Sequence, residues 1–174
     1  MGTSDRITAD QVIERLGLSP LPGEGGYYRE TYRSKDSLST ELFGGVYSGP
    51  AERSAGTAIF YMHTPETYSA LHVLPTDEVY HFYAGDPVEL TLLDESGVFK
   101  DVVLGTDFIH HQVPQFAVPA ATWQGSRLIE GGSWALMGTT MAPGFDFADL
   151  ILAEPKLLAQ FPDHAERLKP LMPA

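Results

Sequence analysis

A chain of 174 residues and 19.0 kDa is the size of one domain with one core, buried without disulfide or metal support. Its 11 Lys and Arg against 23 Asp and Glu leave a formal net charge of −12, which repels nucleic-acid phosphates and anionic lipid. The absence of cysteine excludes disulfides, thiolate metal sites and thiol nucleophiles. No stretch approaches the ~18 consecutive apolar residues of a membrane span. Residues 1–6 lack the basic and apolar regions of a signal peptide, so a cytoplasmic protein without nucleic-acid or membrane partners is expected.

The first predicted element is a helix over residues 9–16. Thr8 and Gln11 stand at capping-box spacing, Ile7 and Val12 at the staple positions, and Gly17 supplies a left-handed stop. From Tyr27 the pattern changes to period two. Strands are predicted over 27–33, 57–63, 69–74, 78–83, 88–93, 99–104, 115–118, 123–129, 134–141 and 147–152. The breaks between them carry turn chemistry, such as Gly85-Asp86-Pro87, Gly131-Gly132 and Pro143-Gly144. The 17 glycines and 13 prolines, about a sixth of the chain against the usual ~12%, fit this turn-rich pattern. About ten short strands indicate an antiparallel sandwich or barrel. The tail returns to helix over about 155–169, with Pro155 at a helix start and Leu157, Leu158 and Phe161 as its apolar positions. Without repeats or a long linker, residues 1–174 read as a single domain.

Five of the six histidines fall between residues 63 and 111. If the strands over 69–74 and 78–83 are neighbours, His72 and Leu74 point to one face of the first and Glu78, Tyr80 and Phe82 to one face of the second, and the turn between them brings His72 and Glu78 close on the same concave face. An imidazole beside a carboxylate suits an oriented acid/base pair or a metal site. His81 is expected on the opposite face, in a packing or subunit contact. His110 and His111 are expected as solvated loop residues. Arg29, with Tyr27 on its strand face, is a candidate fork for an anionic ligand group or else a surface salt-bridge partner. Trp123 and Trp134 read as packing residues. A Gly-x-Ser-x-Gly elbow, a phosphate loop and a basic aromatic platform are all missing.

His72, Glu78 and Gly85 resemble the first cupin motif, Gly-x5-His-x-His-x3-4-Glu-x6-Gly, with Leu74 at the second His and Glu66 at the leading Gly. The segment from Pro119 to Leu128 resembles the second motif, with Ala121 replacing Gly, Gln124 at the His position and Leu128 at the Asn. Four blocks in order resemble the cupin-5 family more closely: Glu24–Arg33, Asp77–Asp86, Val118–Gln124 and Ala142–Phe147. The resemblance implies an all-β fold with short flanking helices, a double-stranded β-helix (cupin jelly-roll) barrel over about 27–153, usually homodimeric. It also implies a carbohydrate-related small-molecule ligand. Of the imidazole ligands only His72 is kept. His72, Glu78 and Gln124 then suit, at most, a weakly held divalent metal.

The expected function is that of a cupin-type enzyme, an isomerase, epimerase or lyase acting on a sugar-like or carboxylated metabolite. His72, oriented by Glu78, would take a proton alpha to a carbonyl, and Tyr80 would return one or stabilise the enolate. Gln124, Arg29 and Tyr27 would bind the substrate. A metal-dependent cupin enzyme and a non-catalytic metabolite-binding module are the alternatives.

Overall fold

The alternating segments pair into two antiparallel sheets whose inner faces share one core. The computed structural model describes residues 7–47 and 49–173. The larger sheet holds β1 (Ser19–Pro20), β2 (Tyr27–Arg33), β5 (Thr57–His63), β12 (Ala135–Met141), β7 (Glu78–Gly85) and β10 (Gln115–Val118), in that spatial order. The smaller sheet runs β13 (Ile151–Leu152), β6 (Tyr68–Val73), β11 (Trp123–Leu128), β8 (Val88–Leu93) and β9 (Phe99–Leu104). From β5 onward the chain passes from one sheet to the other at every connection except the β8–β9 hairpin, in the jelly-roll manner. A separate ribbon pairs β3 (Ser37–Ser39) with β4 (Glu52–Ser54).

Period-two burial decides what each face does. Tyr61, Tyr80 and Met137 from the larger sheet meet Val88, Leu90 and Leu104 from the smaller one. The outer faces are covered by the helices. Helix α1 (Ala9–Leu16) begins with the expected reciprocal bonds between Thr8 and Gln11 and ends at Gly17 in the left-handed region. Its Val12 packs with Leu18, Met62 and Trp134, and the Trp134 indole donates to the Ile7 carbonyl at 3.0 Å. On the other side, α2 (Lys156–Gln160) and α3 (Ala165–Leu168) bring Leu157 and Leu168 onto Leu71 and Leu93. Among the described residues no helix is long and apolar enough to cross a membrane.

Six of the predicted segments, five strands and α1, have the bounds the sequence suggests. Strand β7 runs on to Gly85, which the left-handed backbone there requires: a Cβ at φ +100 would collide with the Trp134 carbonyl. The predicted strand over 147–152 divides instead. Asp146 accepts from the Ala148 amide and starts a 3-10 turn, Phe147–Asp149, leaving only β13 as strand.

That turn is tied to the β3–β4 ribbon by a buried ion pair. Arg53 donates to both Asp149 oxygens, at 2.7 and 2.6 Å, and to the Pro50 carbonyl. Both side chains are almost wholly excluded from solvent. Asp149→Asn leaves the guanidinium without its counter-charge and should cost about 3–5 kcal/mol in urea unfolding. The apolar double replacement Arg53→Met with Asp149→Leu should cost far less, and a similar loss in both would contradict this account.

Candidate functional site

Strand β6 and strand β7 present their inward residues to a common cavity of about 240 Å³ between the sheets. His72 of β6 and Leu74 just past its end line it from the smaller sheet, and Glu78 and Tyr80 of β7 from the larger one. The two strands are not paired neighbours but face each other across the sheets, and alternation sets which of their residues point inward. His72 is 1% exposed and Glu78 7%. Nδ1 of His72 donates to the Ala70 carbonyl at 2.8 Å, which turns Nε2 toward Glu78 Oε2, 4.0 Å away. Gln124 lies directly opposite His72 in the β6–β11 register. Its amide nitrogen donates to Glu78 Oε2 at 2.8 Å, while its Oε1 is buried without a partner.

A second carboxylate completes this end of the cavity. Glu24 precedes two glycines that both take left-handed backbone, Gly25 at φ 96 and Gly26 at φ 72. A Cβ on Gly25 would collide with the Tyr68 carbonyl, and one on Gly26 would stand 2.9 Å from the Tyr61 ring. The turn is closed by Gly25 N–H to the Leu21 carbonyl, and it docks through Ala70 N–H to the Glu24 carbonyl at 2.7 Å. Ser69 Oγ then donates to Glu24 Oε1 at 2.8 Å. The sequence reading places Glu24 within a family block and, beyond that, only among the surface acids that Arg29 could pair with. Its signal was there, since an acid before two glycines is a carboxylate at a tight backbone approach.

Burial acts to lower the His72 pKa, but the facing charge of Glu24, followed by the hydrogen bond and charge of Glu78, outweighs it and raises the imidazole to about 9. Burial raises Glu24, and Glu78 adds to that, while His72 pulls it back. Tyr61 and Tyr80 are buried phenols held well above their ordinary value, so both keep their protons. At neutral pH the cavity floor therefore holds an imidazolium facing two acidic side chains.

The mouth is built by a bulge. Register slips between Glu30 and Tyr32 against β5, which turns Arg33 toward the cavity. Its guanidinium grips both Glu30 oxygens, at 3.0 and 2.7 Å, and reaches the Phe145 carbonyl at 3.1 Å. Phe145 and Phe147 stand edge to face beside it, 5.1 Å between centroids.

The expected substrate-binding trio is divided by these same rules. Tyr27 and Arg29 do not line the cavity, because they fall on the outer face of β2, opposite Tyr28 and Glu30. Tyr27 packs against the α1 cluster, and the exposed Arg29 lies 5.4 Å from the Phe60 ring centre. The cation at the mouth is Arg33. Gln124 touches Glu78 from behind the cavity wall. His81 is on the outer face, bonded to Thr140 and Gln115. His110 is exposed on a turn with Asp107, next to His111. Trp123 and Trp134 pack in the two outer clusters.

The donor set does not fit a metal ion. Among the described residues no three His, Cys, Asp or Glu side chains converge as ligands. Leu74 is an apolar lining residue where a second imidazole would stand, and Gln124 offers Glu78 its N–H, with its oxygen directed elsewhere.

Residues 10–153 match the model of the Cupin_5 family, described as cupin superfamily (DUF985). A Saccharomyces cerevisiae protein, "Uncharacterized protein YML079W", is 29% identical over 132 residues; the match covers 72% of this chain and 66%, just under two thirds, of the yeast protein. The structure of protein SO0799 from Shewanella oneidensis is 29% identical with a TM-score of 0.84, covering 96% of this chain and 98% of that one. A hypothetical protein from Leishmania major is 29% identical with a TM-score of 0.85, covering 97% and 100%.

A histidine whose folded pKa is raised from 6.5 to about 9 contributes stability that is fully present below pH 6.5. That contribution is lost as pH rises through the folded value. Nitrogen-detected NMR should find His72 titrating near pH 9, and Glu24→Gln should move the midpoint down by a unit or more, about a tenfold change in proton affinity. A wild-type midpoint below 7 would contradict the assignment.

Proposed function

The chain belongs to the Cupin_5 family of the cupin superfamily, and we propose that its inter-sheet cavity binds a small metabolite and moves protons on it. The observation that carries this reading is the imidazolium of His72 held between two carboxyl groups at the floor of a substrate-sized cavity. The reaction class is isomerisation, epimerisation or elimination at a carbon next to a carbonyl, on a sugar-like or carboxylated compound.

With its pKa near 9, His72 is the acid of the pair at neutral pH. Glu24, made more basic by burial, removes the proton from carbon. The electron pair left by the C–H bond forms a carbon–carbon double bond to the carbonyl carbon, the C=O π pair moves onto oxygen, and His72 donates a hydrogen bond or its proton to that oxygen as charge develops there. Returning the proton to the other face gives the epimer; returning it to the neighbouring carbon gives the isomer. Glu78 keeps His72 charged, and Gln124 fixes Glu78 through its N–H. These roles invert the sequence expectation for His72, which was cast as the base.

The test is solvent exchange. In deuterium oxide the enzyme should place deuterium at the alpha carbon of a ketose or uronate from a substrate panel, read by proton NMR. His72→Gln and Glu24→Gln should each slow exchange by about 10²–10⁴-fold, the usual contribution of a positioned acid or base. Exchange at the wild-type rate in either variant, or none across the panel, would contradict the proposal.

A further inference from the structure

We propose that Tyr80 and Thr139 form an oxygen-binding subsite, and that the cavity accepts a neutral carbonyl or hydroxyl compound in preference to an anion. The inference rests on the reading of the cavity as a small-molecule site and narrows its ligand class.

Thr139 and Tyr80 are Cα partners across the β12–β7 pairing, so their side chains stand together on one face. Both line the cavity, at 5% and 1% exposure. Among the described residues neither hydroxyl has a hydrogen-bond partner. Hydroxyls enclosed in a protein are ordinarily satisfied, and two left open on one face of a cavity are available as donors to a ligand's oxygen. Tyr80 stays protonated through the working pH range because burial holds its pKa high. The pair belongs to the larger sheet, and His72 faces the cavity from the smaller one. A carbonyl between them would take hydrogen bonds on one side and proton transfer on the other.

The charges lining the cavity supply the second half of the argument. Glu24, Glu78 and Glu30 are the acids, and His72 and Arg33 the cations. His72 is already offset by Glu24 and Glu78. Arg33 spends both arms of its fork on Glu30 and a further bond on Phe145. Arg29, the cation that would have received an anionic group, lies on the other side of the sheet, against Phe60. An entering carboxylate or phosphate would thus meet carboxylates whose counter-charges are taken, and would have to displace Glu30 to find a fork. A neutral ligand meets open hydroxyls and the apolar side chains of Ile59, Leu74 and Met141. The volume of about 240 Å³ is roughly that of eight waters in the liquid, which suits one substituted ring.

Two matched pairs of probes test this: cyclohexanone with cyclohexanecarboxylate, and D-fructose with D-gluconate. Binding is measured by calorimetry and by the methyl shift of Thr139 in threonine-labelled protein. At least one neutral probe should shift the Thr139 methyl and bind tenfold or more tighter than its carboxylate partner. Tyr80→Phe with Thr139→Val should weaken that neutral probe tenfold or more, and Thr139→Ser should keep most of the affinity. Thermal unfolding of each variant controls for folding, and Thr139→Val alone serves if the double variant fails to fold. Equal or tighter carboxylate binding, neutral binding indifferent to the hydroxyls, or exclusion of both neutral probes would overturn the inference. Neutral binding through the hydroxyls without any alpha-proton exchange would instead overturn the acid–base reading and leave this subsite standing.

Discussion

A positive charge on His72, buried at the cavity floor, is sustained only because the charge of Glu24 and the facing carboxylate of Glu78, 4.0 Å away, offset its burial. An isolated ion in such a place would cost several kcal/mol and would neutralise instead. Burial alone has the opposite consequence at His63, which has no facing carboxylate and is pushed down to about 3. Both side chains are almost wholly buried, and their opposite states come from what surrounds each. Each partner of His72 is delivered by a different backbone device. Glu24 comes from a turn that only glycine can close against Tyr68, Glu78 from the start of β7, and Gln124 from the register of β11 against β6.

The rest of the structure serves that arrangement by keeping the two faces of each sheet apart. Inner residues make the core and the cavity, while outer ones are sealed by α1 on one side and by α2 and α3 on the other. The mouth is held from outside by the Arg53–Asp149 pair, which anchors the turn bearing Phe147 to the β3–β4 ribbon. Arg33 ties the same segment to β2 through the Phe145 carbonyl. Neither pair touches the buried imidazole, yet both fix the rim through which a ligand must pass.

Where side-chain alternation is uninterrupted, the sequence is enough to say which residues line the cavity. His72, Glu78 and Tyr80 were placed on the cavity by period two alone, and the family resemblance held over most of the chain. The reading failed where the backbone departs from that period. Arg29 precedes the bulge in β2 and falls outside by ordinary alternation, while the extra residue after Glu30 moves Arg33 onto the inner face, where period two alone would not put it. Glu24 lies in a turn, where no periodicity assigns a direction. The β3–β4 ribbon is built from Ser-Leu-Ser and Glu-Arg-Ser, too polar to read as strand, and its stability depends on a tertiary ion pair that no local pattern announces.

Leu74 and Gln124 take on a common meaning in this light. Each stands where an imidazole ligand of the wider superfamily would be expected, and neither offers one: Leu74 is an apolar wall of the cavity, and Gln124 donates to Glu78. The most direct measurement of this account is neutron diffraction from deuterated crystals at neutral pH. It should show deuterium on both Nδ1 and Nε2 of His72. Deuterium on one ring nitrogen only would mean a neutral imidazole, and would contradict the charged cluster on which the account rests.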